Sequence, residues 1–169
     1  MSAVAEHTQI TQEEIIILGT QWGAKFRDLI PDEIIDAYQA GKKTGVEGYI
    51  NWMQEKQKKS LVEAMKYSSE VIKMLQTKLD LSVTTAFLRQ LSAEQNCINK
   101  TLIVINKEEY LSEKALKAYE LLINRSKELR KSGVDLNFAL MPEKEYNLDS
   151  LSGDGFFYEY ANKKEARHA

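Results

Sequence analysis

The chain has 169 residues, of which 43% are hydrophobic and 28% are charged, and this composition suits one globular domain with a substantial core. A formal net charge of −2 at pH 7 leaves no general excess of positive charge, which disfavours non-specific binding of nucleic acid. The single Cys97 excludes an internal disulfide and a cysteine-rich zinc site. Both histidines, His7 and His168, lie near the ends of the chain, which excludes a histidine-based triad or metal site in the folded part.

Targeting and cofactor motifs are also missing from the sequence. It shows neither a leader of the secretory type nor a run of about 20 apolar residues that would span a membrane. A soluble protein in the cytoplasm is therefore predicted. No complete phosphate-binding glycine motif and no metal-ligand pattern is present, so we predict no cofactor and no metal.

The first half of the chain has the apolar periodicity of helices. Residues 1–10 lack this periodicity and are predicted to form a flexible arm, whereas residues 11–98 are predicted to form a helical region. A capping box starts at Thr11. Residues 61–79 carry a regular apolar stripe, and their helix either begins at Ser60 or continues from the residues before it.

Large aromatic side chains are concentrated in this helical region, at Trp22, Phe26, Tyr49 and Trp52. Short helices bury few such side chains against one another, so part of this apolar surface is expected to remain exposed. Aromatic residues are enriched where proteins contact each other. We therefore predict that these four residues bind a protein partner or a second copy of the chain, as a homodimer.

The segment at residues 81–95 fits two patterns of secondary structure. Its first residues alternate as in a strand, whereas Ser82 as a cap and the helix formers at residues 88–91 favour a helix. We predict a helix here. A loop at residues 96–99 then leads into the second half of the chain.

Residues 71–95 resemble the second half of a helix-turn-helix motif. The resemblance rests on an apolar helix, a short turn that contains Leu81-Ser82, and a following segment that contains Thr84-Thr85. It implies a DNA-binding regulator, and the residues that would face the groove are Thr84, Thr85, Arg89 and Gln90. The alternative interpretation is a helical hairpin that packs on a sheet.

The second half of the chain, residues 99–161, is predicted to form a β-α-β-β unit. An aliphatic run at residues 102–105 indicates a strand that is buried on both faces. Ser112 is a predicted helix N-cap, with Leu111 and Leu116 spaced as a hydrophobic staple, and Gly133 is the predicted stop. The apolar face of this helix is predicted to consist of Leu116, Tyr119, Leu122, Ile123 and Leu129.

The unit continues with two further strands. Alternating residues at 134–140 predict a strand that is covered on one face, and alternating aromatic residues at 156–160 predict an edge strand. A Ser/Asp/Gly loop is expected at residues 147–155, and residues 162–169 are predicted to form a tail. The fold class is therefore α+β, or small α/β, with a helical N-terminal half packed on a small sheet built from the β-α-β-β unit.

Three functions follow from these patterns, in order of preference. The first is a non-catalytic interaction protein that binds through its N-terminal helices. The second is the DNA-binding regulator that the helix-turn-helix resemblance implies. The third is an enzyme or a small-ligand binder at the strand end that carries Asn106, Glu108 and Ser112, because ligands of open α/β sheets bind outside the carboxyl ends of the strands.

Overall fold

The structure is a computed structural model, and it describes residues 11–23, 44–93 and 96–161. Its elements in chain order are α1 (Gln12–Gln21), α2 (Thr44–Lys78), β1 (Val83–Ala93), β2 (Asn96–Ile105), α3 (Lys107–Tyr110), α4 (Glu113–Lys131), β3 (Leu136–Pro142), α5 (Leu148–Gly153) and β4 (Tyr158–Glu159). Helices pack on a four-stranded mixed sheet, so the predicted α+β fold class is confirmed.

The N-terminal helices begin and continue largely as the sequence predicts. The Thr11 side chain accepts a hydrogen bond from the backbone N–H of Glu14 at 3.2 Å, and the capping box is complete. Helix α2 is one continuous helix of 35 residues, so no new helix begins at Ser60. Its predicted stripe faces the sheet, and the stripe residues Leu61, Met65, Ser68, Ile72 and Leu75 are all buried.

The sheet has the strand order β3-β2-β1-β4. Strands β1 and β2 form an antiparallel hairpin, and the two residues of β4 pair antiparallel with Phe87 and Leu88 of β1. Strands β2 and β3 are parallel and are joined through α4, so the predicted β-α-β crossover is confirmed. Among the described strands, β3 is thus one edge of the sheet.

The predicted helix at residues 81–95 is wrong, because Val83–Ala93 form strand β1. Phe87 lies on one face of the sheet and Leu88 on the other, and both are buried. A strand that is buried on both faces loses the alternation that distinguishes it from a helix. Its pairing with β2 decides the outcome, and this pairing also turns the predicted loop at residues 96–99 into strand.

The two faces of the sheet are covered to different extents. Helices α2 and α4 cover one face, where the main core includes Leu75, Ile103 and Leu122. The other face has a smaller cluster around Phe87 and Leu151. That cluster is covered by α5, a short helix where the sequence predicts only a loop; the Asn147 side chain caps it.

Helix α4 has the predicted bounds but a different buried face. The Ser112 side chain accepts from the backbone N–H of Lys114 at 3.2 Å, as expected of an N-cap. Its buried residues are Ala115, Ala118, Leu122 and Leu129. Leu111, Leu116 and Ile123 are exposed, so the predicted staple and part of the predicted apolar face are wrong. The two alanines are small enough to bring the helix close to the sheet, and this turns the larger side chains outward.

Within the part of the chain that the structure describes, no helix is both long enough and apolar enough to cross a membrane.

Candidate interaction surfaces

The four aromatic residues that the sequence predicts as partner-binding lie in different surroundings. The Trp22 side chain is 1% exposed, its ring packs edge-on to Tyr160 at 5.3 Å, and its Nε1 donates to Ser69 Oγ at 3.2 Å. Trp22 is therefore a core residue with almost no surface left for a partner. Phe26 and the side chain of Tyr49 lie outside the described residues. Trp52 is 53% exposed, with Lys56 Nζ 5.1 Å from the centre of its ring.

Helix α1 exposes two large aliphatic side chains. Leu18 and Trp22 anchor the helix in the core, and an ion pair of 3.9 Å joins Glu14 to Lys66 of α2. Ile16 is 66% exposed and Ile17 is 56% exposed. The sequence does not indicate this surface, because the consecutive apolar residues Ile16, Ile17 and Leu18 project in different directions from the helix. The position of Trp22 decides which side is buried.

The four residues that the helix-turn-helix resemblance implies for DNA all lie on strand β1. Thr85 Oγ1 donates to the backbone carbonyl of Tyr160 at 3.2 Å, and Gln90 Nε2 donates to the carbonyl of Gln57 at 3.1 Å. Arg89 stacks on Phe156 at 5.1 Å and donates to the carbonyl of Asp154, while Thr84 is half-buried. A recognition helix is therefore absent from this segment, and these contacts hold the sheet together.

The residues predicted for a small ligand do lie together at the carboxyl end of β2, where they shape the turns. Asn106 Oδ1 accepts from the backbone N–H of Glu108 at 2.8 Å, which caps α3. Ser112 caps α4 and donates to the carbonyl of Glu109 at 2.6 Å. The Glu109 carboxylate accepts from the backbone N–H of Ser82 at 2.7 Å. Asn106 and Ser112 thus serve as caps, and Glu108 is exposed.

A cavity of about 500 Å³ lies at the opposite end of the sheet, beside the β1–β2 hairpin. Its lining includes Lys59 and Glu63 of α2, together with Arg130 and Asp135. Cys97, which is half-buried and has a free thiol, also lines it. Among the described residues, no group of three or more histidine, cysteine, aspartate or glutamate side chains is placed to hold a metal ion.

The polar side chains next to this cavity are only partly paired. Asn99 is fully buried, and its Nδ2 donates to Ser60 Oγ at 2.9 Å. Its Oδ1 has no hydrogen-bond partner, and neither has Oε1 of buried Gln57. Neither of these residues lines the cavity.

Helix α4 presents two different flanks beside its buried face. The inner flank, centred on Arg125, faces α2: Arg125 Nη2 donates to Glu70 at 3.3 Å, and its guanidinium lies 5.6 Å from the Tyr67 ring. The outer flank consists of Leu116, Ile123 and Arg130, which are seven residues apart and so lie along one line of the helix.

The outer flank lies on the side of the β3 edge. Arg130 Nη2 donates to Asn137 of β3 at 3.2 Å and lies 3.8 Å from the Asp135 carboxylate. Leu116 is 71% exposed and Ile123 is 52% exposed. Strand β3 itself pairs only with β2 among the described residues. An exposed aliphatic line and an unpaired strand edge therefore lie side by side.

A tyrosine pair lies at the start of α4. The hydroxyls of Tyr110 and Tyr119 are 3.5 Å apart. Burial is the main cause that raises the pKa of Tyr119 to about 12, and the hydrogen bond with Tyr110 adds to it. Both rings pack against the core.

No protein-family model matches the chain, and comparisons with curated proteins and with solved structures found no match.

Proposed function

We propose that this chain is a non-catalytic, cytoplasmic interaction protein that binds a protein partner through its N-terminal helices. The observation that carries the proposal is the outward position of Ile16 and Ile17 on a helix that is anchored in the core by Leu18 and Trp22. Adjacent exposed aliphatic side chains on an anchored helix form a ready-made apolar contact, and each full burial contributes roughly 1.5–3 kcal/mol.

Trp52 is a second contact point of the same proposal. Of the four aromatic residues predicted for partner binding, it is the one whose described side chain is substantially exposed. Tryptophan anchors contribute more than their share of binding energy when a partner covers them. Lys56 Nζ lies over the Trp52 ring, so a positive charge accompanies this aromatic side chain on α2.

The residues that the two alternative functions would use already make contacts within the chain, and this favours the proposed function. Asn106 and Ser112 cap helices, and Arg89 secures the segment that covers the second face of the sheet. These side chains are therefore committed to the fold.

The test is an affinity capture with paired variants of α1. A chain with Ile16→Glu and Ile17→Glu is compared with the wild type and with Glu13→Gln, an exposed polar control on the same helix. We expect at least one protein to be enriched by the wild type and the control and lost with the double variant. Equal enrichment by all three chains, with circular dichroism showing each folded, would refute binding through α1.

The cavity at the hairpin end favours a second candidate function, the binding of a small polar ligand. Lys59 and Arg130 suit a carboxylate, while Glu63 suits a donor group. Amino acids and hydroxy acids have both groups. Thermal unfolding with a panel of these acids tests it: a rise in melting temperature that Lys59→Ala abolishes supports the candidate, and no rise with any of them refutes it.

A further inference from the structure

We propose that two copies of this chain associate through a two-fold interface that joins their β3 edges and the outer flanks of their α4 helices. This surface is separate from α1, so it does not depend on the partner proposed above. Three features favour a second copy as the occupant: the uncharged edge of β3, the position of the midpoint of β3 close to Ile123 of α4, and the distribution of charge along α4.

The edge of strand β3 is suited to pairing with another strand. It extends over seven residues, Leu-Asn-Phe-Ala-Leu-Met-Pro, and none of them carries a charge. Natural edge strands are usually protected by charged side chains, by proline or by a covering segment. Here Pro142 limits the edge at its end only. Antiparallel pairing with a second β3 would therefore satisfy the outward backbone groups without placing like charges opposite each other along the strand.

The midpoints of the strand and of the helix flank lie close to each other. Arg130 contacts Asn137 near the start of β3, and α4 runs antiparallel to β3 because it is the crossover between parallel strands. From Asn137 to Ala139, the middle of β3, is two residues, or about 7 Å along the strand. Ile123 lies seven residues before Arg130, which is about 10 Å back along α4. One two-fold axis can thus pass near both Ala139 and Ile123.

The charges of α4 are complementary to those of a second, antiparallel α4. Near Ile123 on the surface of α4, the exposed acids Glu113 and Glu120 precede it and the exposed bases Lys127 and Lys131 follow it. Three other exposed charges, Lys114, Lys117 and Glu128, lie farther round the helix from Ile123. A two-fold axis at Ile123 places Glu120 of each copy near Lys127 of the other. It also pairs the helix dipoles head to tail and covers Leu116 and Ile123, so the same patch on both copies is self-complementary.

Sedimentation of the full chain over a range of concentrations tests the interface. We expect a reversible dimer, twice the 19.4 kDa of one chain. Leu116→Glu combined with Ile123→Glu is expected to give a monomer that circular dichroism shows to be folded. Ile17→Glu on α1 is the matched control, and it is expected to leave the dimer intact.

A charge-swap series distinguishes this interface from any other. Glu120→Lys is expected to raise the dimer dissociation constant about tenfold, and Glu120→Lys with Lys127→Glu is expected to restore it. A wild-type chain that is monomeric at every concentration, or a dimer that survives Leu116→Glu with Ile123→Glu, would overturn the proposal. The capture experiment on α1 has its own readout, so either proposal can fail while the other holds.

Discussion

Helix α4 faces α2 with one flank and solvent with the other, and the two flanks are built differently. On the inner flank, Arg125 binds Glu70 and Glu128 and covers the Tyr67 ring, so this side chain is held by contacts within the chain. On the outer flank, Leu116 and Ile123 project from the helix beside a strand edge that has no neighbour among the described residues.

The difference shows that one helix can have a flank held by contacts within the chain and another flank that leaves aliphatic side chains exposed. The buried face and the inner flank stabilise the fold. The outer flank adds little to folding, because its aliphatic side chains remain in water. Substitutions on the two flanks should therefore separate folding from association, and the following predictions are ordered by the size of the expected effect.

The largest effect is expected for Leu122→Ala, on the buried face between the two flanks. The side chain is almost fully buried, so its truncation leaves a cavity and should lower the free energy of unfolding by about 3 kcal/mol. Denaturant titration at low protein concentration measures this loss. The neighbouring control, Ile123→Ala, should cost at most about 1 kcal/mol. Equal losses for the two variants would show that the flanks do not differ in burial.

A smaller loss is expected when the inner flank loses its arginine. Arg125→Ala removes the hydrogen bond to Glu70 and the contact with Tyr67, and should lower the free energy of unfolding by about 1 kcal/mol. Lys127→Ala, an exposed cation on the opposite side of the same turns, should change it by less than about 0.5 kcal/mol. The same denaturant titration measures both variants, and a larger loss for Lys127→Ala would contradict the assignment of the flanks.

Alkaline pH should reveal the environment of Tyr119. Because its pKa is raised from 10.0 to about 12, the folded chain keeps this proton to a higher pH than the unfolded chain does. The raised pKa of Tyr119 therefore contributes to the free energy of unfolding. This contribution is fully present below pH 10 and is lost as the pH rises through about 12. Tyrosinate absorbance measures the ionisation. Tyr119→Phe should remove one late-titrating tyrosine; an unchanged titration curve would contradict the prediction.

The smallest effect on folding is expected for Leu116→Lys. The side chain is mostly exposed, so the free energy of unfolding of the monomer should change by less than about 0.5 kcal/mol. Association should weaken, because a positive charge replaces an aliphatic contact. Denaturant titration measures the free energy of unfolding, and sedimentation of the same sample measures association. A large loss of stability without a change in mass would show that the outer flank serves folding and not association.

Local signals were sufficient to predict much of the fold from the sequence. Ser112 and Gly133 mark the limits of α4 because cap and stop residues act through their own backbone neighbours. The aliphatic run at residues 102–105 predicts β2 for a similar reason. Strand β1 was missed because its identity depends on pairing with β2, which no short pattern in residues 81–95 records.

The candidate surfaces were harder to predict than the elements. The sequence indicates that the helices around Trp22 and Leu116 are amphipathic, but it does not show which side faces the core. Trp22 is buried by Tyr160, which lies far away in the chain, and Leu116 is displaced by Ala115 and Ala118. Both outcomes depend on how closely an element approaches the sheet, a property of the assembled structure.

The most direct test of the central claim is hydrogen exchange of the β3 amides at low and at high protein concentration. Pairing of two copies predicts that exchange in residues 136–142 slows as the concentration rises. The part of β1 beyond Leu88 is the internal control, because among the described strands β4 pairs with Phe87 and Leu88 only and leaves this part of the opposite sheet edge open. Hydrogen exchange in this part of β1 should not change with protein concentration. Exchange of the β3 amides that is independent of concentration would contradict the claim that this edge joins two copies.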